Sequence, residues 1–118
     1  MRSTWRTKFS NQLGKGDHSM ATFVTTIKFT SQGIQAIDQT TRRAAALKAA
    51  ARKVGVKVMN IFWTLGEYDG LLILEAPDAE TVTSLLLTLG AMGNVHTSTA
   101  QAFSAGEMDK ILSKVQAS

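Results

Sequence analysis

The sequence contains no cysteine, and this absence excludes both a disulfide framework and a thiolate nucleophile. It has only two histidines, too few for the ligand spacing of a metal site, and no glycine-rich phosphate-binding pattern between a strand and a helix. We therefore expect neither a metal nor another cofactor. No run approaches the roughly 18 apolar residues that cross a bilayer. A cysteine-free chain without such a run is predicted to be cytoplasmic, without membrane contact.

Most of the net positive charge lies in the first nineteen residues. The net charge is +4, but residues 1–19 hold four cations and one acid, a net of +3, whereas residues 20–118 hold nine cations and eight acids, a net of +1. Nucleic acid is therefore not an expected partner. The cations of the first long predicted helix are interpreted as a solvated surface, and they are Arg42, Arg43, Lys48, Arg52 and Lys53.

The first nineteen residues differ from the rest of the chain. They are basic and lack the apolar core of a secretory signal, although their apolar residues have the spacing of a short amphipathic helix or an organelle presequence. The codons of residues 15–17 can form a purine-rich ribosome-binding sequence just before Met20. We predict that residues 1–19 are an untranslated leader read in frame or a disordered tail, and that residues 20–118 form one domain.

Hydrophobic periodicity from Met20 onward predicts four strands and three helices. Period-two alternation marks the strands, which are expected at residues 22–29, 56–65, 71–76 and 94–103. Recurrence every three or four residues marks the helices, and Gly55 and Gly90 are expected to end the first two. The expected caps of the successive helices are Thr40 or Thr41, then Asp78, then Ser104 with Glu107.

This order, strand-helix-strand-strand-helix-strand plus a tail helix, indicates a ferredoxin-like α+β fold with a four-stranded antiparallel sheet and helices on one face. The third strand is apolar on both faces, because Leu71 and Ile73 alternate with Leu72 and Leu74. The second strand is predicted to be apolar on both faces too, with Val58 and Phe62 opposite Met59, Ile61, Trp63 and Leu65. Only one helical layer is available, so we expect a second copy to cover the open face in a homo-oligomer.

The stretch "WTLGEYDG" and three others resemble one family. They are "MATFVTTIKFTSQGIQAI", "ALKAAARKVGVKV" and "EAPDAETVTSLLLTLGAMGNVHTSTAQAFS". Together they resemble the GYD-domain family of small bacterial and archaeal proteins over about residues 20–112. The resemblance implies the fold of the dimeric α+β barrels, in which two ferredoxin-like sheets face each other, and an undefined biochemical function. It also implies arginine at the position of His96 in many relatives, so a cationic role there would depend on pH.

The connection between the second and third strands has two alternative registers. A two-residue turn at Asp69-Gly70 is a common hairpin signal. A turn at Gly66-Glu67 instead makes Tyr68 and Asp69 the start of the third strand, and we favour this register. A one-residue change of register would move each side chain to the other face.

The same segment supplies the candidate site, whose residues are Trp63, Glu67, Tyr68, Asp69, Asn94 and His96. A tyrosine can donate a hydrogen bond to an oxyanion, and a desolvated carboxylate can act as a base. We predict a small-molecule site near the hairpin, and the indole N–H of Trp63 is expected to pair with Asp69 or Glu67. The alternatives are a purely structural assembly module, in which Asn94 satisfies backbone groups at a turn, and a cofactor-independent enzyme.

Overall fold

The structure, a computed structural model, describes residues 20–116. Residues 1–19, for which a leader or tail is predicted, lie outside the described residues. The strands are β1 Ala21–Phe29, β2 Lys57–Trp63, β3 Gly70–Ala76 and β4 Val95–Ala102. The α-helices are α1 Ser31–Gln35, α2 Thr40–Lys53, α3 Ala79–Ala91 and α4 Ala105–Leu112, with a 3₁₀ turn at Ile37–Gln39 before α2.

The sheet has the predicted ferredoxin-like topology. Its strand order is β2-β3-β1-β4, and all three neighbouring pairs are antiparallel. One face of the sheet packs against α2 and α3. The buried residues of the sheet and of these helices form a single core: Phe23, Leu47, Ala51, Val56, Leu72, Leu74, Ala76, Val82, Leu85 and Leu86. Leu72 and Leu74 are fully buried, as their places on the helix-covered face of a central strand require.

Helix ends follow local sequence signals in most places. The Asp78 carboxylate accepts a hydrogen bond from the Thr81 N–H (2.8 Å) and caps α3 as predicted. Hydrogen bonds from Thr81 lower the pKa of Asp78, since they favour the charged carboxylate. Ser104 and Glu107 form the predicted capping box of α4. Gly55, just after α2, has φ +82°, the left-handed conformation of a helix stop.

Two predicted helix boundaries are wrong. The residue before α2 is Gln39, which makes no side-chain capping hydrogen bond, while Thr40 is the first helical residue and uses its hydroxyl elsewhere. Gly90 lies within α3 rather than ending it. The left-handed glycine after α3 is Gly93, with φ +87°. Glycine three residues further along thus makes the turn into β4.

A β-bulge in β2 overturns the predicted faces of that strand. The pairing with β3 shifts between Val58 and Asn60, so one extra residue is accommodated there. As a result Val58 and Ile61 both pack against the core, although strict alternation puts them on opposite faces. Phe62 lies opposite Leu71, on the other side of the sheet.

The sheet face away from the core is called here the open face, and it is formed centrally by Val24, Phe62, Leu71, Ile73 and Ala100, which the strand register brings together. None of these side chains is fully buried. Helix α4 likewise has no buried residue. The apolar second face predicted from β3 is therefore present. Among residues 20–116, no helix has the length and apolarity needed to cross a membrane.

Candidate functional site

Strands β2 and β3 are joined by a loop over residues 64–69. The loop closes on its own ends, because the Thr64 N–H donates to the Asp69 carbonyl (2.9 Å). Gly66 has φ +124°, a conformation that favours glycine. The favoured register placed the tip correctly at Gly66-Glu67, but Tyr68 and Asp69 precede β3 rather than begin it. Asp69-Gly70 does not form a two-residue turn.

Asp69 holds the end of this loop against β1. Its N–H donates to the Ile27 carbonyl (2.8 Å), just beyond the last register pair of β1 and β3, Ile27 with Gly70. Its carboxylate Oδ2 accepts from the Phe29 N–H (2.8 Å). The other carboxylate oxygen, Oδ1, has no hydrogen-bond partner within the part of the chain that the structure describes. Asp69 is half-buried. Because Oδ2 is bonded to the Phe29 N–H, the position of Oδ1 is fixed as well.

Asp69 lies in the wall of a cavity of about 110 Å³ between the sheet and the helices. The cavity lies at the end of the sheet where β1 and β2 finish and β3 and β4 begin. Its wall on the sheet side includes Ile27, Phe29, Ile61, Trp63, Gly70 and Leu72. The helices contribute Thr40, Arg43, Ala44, Leu47, Leu89 and Met92. Trp63 and Met92 are both exposed, so the cavity reaches the protein surface on their side.

The Trp63 indole closes part of the cavity by reaching across to α2. Its Nε1–H donates to the Thr40 hydroxyl (3.0 Å), not to the carboxylate of Asp69 or Glu67 as predicted. The hydroxyl is available because Thr40 is the first residue of α2 rather than its cap. About half of the indole surface stays exposed, at 47 %. The bond therefore fixes the ring at the rim of the cavity.

Arg43 was missed as a site residue, because its cation was assigned to the solvated surface of α2. Its guanidinium donates to the Ala36 carbonyl (2.8 Å) and the Gly33 carbonyl (3.3 Å), and it lines the cavity. The spacing carried a signal: Arg43 precedes the buried Leu47 by four residues, which puts both on one face of a helix.

Asn94 lines the cavity at the start of β4 and is held by the segment that follows β1. Its backbone carbonyl accepts from the Thr30 N–H (3.0 Å). Its side-chain oxygen accepts from Gln32 Nε2 (3.0 Å), a side-chain partner rather than the backbone group predicted. The Thr30 hydroxyl also donates to the Gly93 carbonyl (2.6 Å). Asn94 is therefore a fixed part of the wall.

The remaining predicted site residues lie outside this cavity. His96 pairs with Lys28 across β1 and β4, on the same face as Ser98 and the rest of the open face. Lys28 Nζ donates to the Glu67 carbonyl (3.0 Å), so Glu67 lies above that face. Tyr68 is exposed and does not line the cavity. The structure thus brings together Trp63, Asp69 and Asn94, and separates them from the other three.

The site offers the Asp69 carboxylate and the Arg43 guanidinium in a mainly apolar chamber. Within residues 20–116, no group of three or more histidine, aspartate or glutamate side chains is placed to hold a metal ion. The described wall of the cavity contains no histidine or tyrosine that would act with Asp69 as an acid–base pair. An apolar chamber with few fixed polar groups is the usual form of a small-molecule binding site.

Comparison with known proteins identifies the family. A profile of the GYD domain matches residues 23–112, most of the described chain. The chain belongs to the GYD-domain family. The resemblance carried by Gly66-Glu67-Tyr68-Asp69 and the flanking motifs is thereby confirmed.

Two known proteins are similar to this chain, one in sequence and the other in fold. The "Glutamine synthetase and cystathionine beta-lyase binding protein" of Thermus thermophilus is 30 % identical over 90 residues, which make up 75 % of this chain and 95 % of that protein. The crystal structure of MtbAldR superimposes with a TM-score of 0.58 at 16 % identity, over 85 % of this chain and 68 % of that one. The second likeness shows the ferredoxin-like fold alone.

Proposed function

We propose that this GYD-domain protein binds a small apolar molecule in the cavity beside Asp69 and Trp63. The observation that carries the proposal is the cavity itself, about 110 Å³ with an almost wholly apolar lining. An apolar void of about 150 Å³ holds benzene, so this cavity, which also opens to the surface, suits a molecule of about the size of benzene or smaller. Binding is favoured over catalysis because Asp69 has no acid–base partner in the described wall.

We further propose that the protein is a homo-oligomer assembled through the open face, sheet against sheet. The support is the half-exposed apolar row of Val24, Leu71 and Ile73, with Phe62 beside it. Contiguous exposed apolar patches of this kind usually mark an interface. The cavity lies on the other side of the sheet, so assembly would leave it open to a ligand.

A second candidate function is binding to another protein. The relative from Thermus thermophilus is named as a binding protein of two enzymes, and the open face is the apolar surface that a partner enzyme would cover. A second copy and a partner enzyme cannot cover the same open face at the same time. A monomeric mass for the isolated protein would favour an enzyme partner, and a dimeric or larger mass would favour a second copy.

The cavity proposal predicts that a small apolar ligand stabilises the protein by mass action. At a ligand concentration 100 times Kd, the free energy of unfolding should rise by about 2.7 kcal/mol, which thermal unfolding detects as a higher Tm. Benzene and a library of small metabolites are suitable probes. Ala44→Leu places three more carbon atoms in the cavity and should remove the benzene-induced rise in Tm.

The matched control is Ala49→Leu, on an exposed position of the same helix. It should leave the benzene-induced rise unchanged, because Ala49 does not line the cavity. An equal rise in wild type and Ala44→Leu would show that the ligand binds elsewhere and would contradict the proposal. No rise with any probe would contradict it as well.

A further inference from the structure

Asp69 is the acidic residue that lines the cavity. Its carboxylate oxygen Oδ2 accepts a hydrogen bond from the Phe29 N–H (2.8 Å). Oδ1 keeps its lone pairs unmatched by any hydrogen-bond donor of residues 20–116. A ligand that donates a hydrogen bond to this oxygen would form a charge-assisted bond with it.

Each of the other polar side chains of the wall makes at least one hydrogen bond. The Thr40 hydroxyl accepts from the Trp63 indole, and the Asn94 side-chain oxygen accepts from Gln32. The Arg43 guanidinium donates to two backbone carbonyls. The rest of the wall is apolar. Asp69 is the acidic side chain among these lining residues, so it favours a ligand that donates a hydrogen bond.

The volume of the cavity and its aromatic side chains determine the size and shape of the ligand. A chamber of about 110 Å³ accommodates a body of about five or six heavy atoms. Phe29 and Trp63 both line it, and aromatic side chains favour a flat ring through offset or edge-to-face packing.

From these contacts we infer that the ligand is a small aromatic ring with an N–H or O–H donor, bound with that donor on the Asp69 carboxylate and the ring between Phe29 and Trp63. This inference rests on the proposed function and adds the chemical class of the ligand. A ring that carries only an acceptor would place its lone pair against the carboxylate and would bind more weakly. The selectivity comes from one side chain, so one substitution should reverse it.

Pyrrole and furan test the inference, because they have nearly the same shape but pyrrole carries an N–H where furan carries an acceptor oxygen. Wild-type protein should bind pyrrole about tenfold more tightly than furan in a calorimetric or NMR titration, the effect of one hydrogen bond to a charged group. Asp69→Asn keeps an oxygen for the Phe29 N–H and presents an amide donor to the cavity. This variant should lose the preference for pyrrole or reverse it.

Benzene separates failure of this inference from failure of the cavity proposal. If benzene binds but wild type does not distinguish pyrrole from furan, the donor requirement is wrong while the cavity remains a binding site. A preference for pyrrole that persists in Asp69→Asn would also overturn the inference. If none of the three rings binds the wild type, both proposals fail. The Tm of Asp69→Asn without ligand verifies that the variant is folded before its titration is interpreted.

Discussion

Replacing Gly33 with alanine is expected to lower the free energy of unfolding by about 3 kcal/mol or more, at the upper end of what overpacking costs. A Cβ at this position would lie well under 3.0 Å from the carbonyl oxygen of Asn94. Gly33 is buried, and Asn94 is held in place by the Thr30 N–H and the Gln32 amide. The obstructing atom is backbone, so it cannot move aside as a flexible side chain would. Urea or thermal unfolding measures the loss.

The matched control is Gly90→Ala, in the last turn of α3. Here a Cβ meets nothing within 4 Å. Alanine in a helix is favoured over glycine by about 0.5–1 kcal/mol, so this variant should be neutral or more stable. Helix propensity alone would predict the same gain for both substitutions, since Gly33 also lies in a helix. Similar stabilities for the two variants would contradict the close approach of α1 to the β4 segment.

If two copies assemble through the open face as proposed above, replacing Leu71 with lysine is expected to reduce the mass in solution to that of a monomer. Leu71 lies on the open face, opposite Thr26 of β1 and Phe62 of β2. Two facing sheets would bury two unpaired ammonium groups, which costs several kcal/mol and weakens association at least about 100-fold. The monomer itself should stay folded, because the new side chain faces solvent and the core on the other side of β3 is untouched. Light scattering after size exclusion gives the mass, and circular dichroism checks the fold.

Leu87→Lys is the control for the effect of an added charge on mass. Leu87 is an exposed leucine of α3 and lies outside the open face. The proposal predicts that this variant keeps the wild-type mass. A monomeric wild type, or a Leu71→Lys variant that keeps the oligomeric mass, would contradict assembly through the open face.

The element order and several helix ends could be predicted from the sequence because their causes are local. The capping box of Ser104 and Glu107 needs only residues three apart, and Gly55 ends α2 through its own backbone conformation. The bulge at Val58–Asn60 could not be predicted, because the run "KVMNIFW" has apolar residues at both odd and even positions, and so does not show which set faces the core. Packing against β3 and the helices, rather than the sequence of β2 alone, determines the position of the bulge that turns both Val58 and Ile61 towards the core.

The candidate site was predicted in part, for a topological reason. Trp63, Asp69 and Asn94 come together because β2 ends where β3 and β4 begin, and antiparallel strands bring those ends to one edge of the sheet. His96 does not reach the cavity, because neighbouring residues of a strand point to opposite faces and Val95 is buried on the helix side. The partners of Trp63 and Arg43 belong to the α1–α2 segment. Its path back to the sheet edge depends on the close contact at Gly33, which no sequence period reveals.

The most direct test of a binding cavity beside Asp69 is an NMR titration of ¹⁵N-labelled wild-type protein with pyrrole. The account predicts saturable shifts of the Phe29 and Gly70 amides and of the Trp63 indole N–H, all of which line or adjoin the cavity. The amides of Ser98 and Ala100, on the opposite face of β4, should not shift. Shifts confined to that opposite face, or no saturable shift at the cavity residues, would contradict the account.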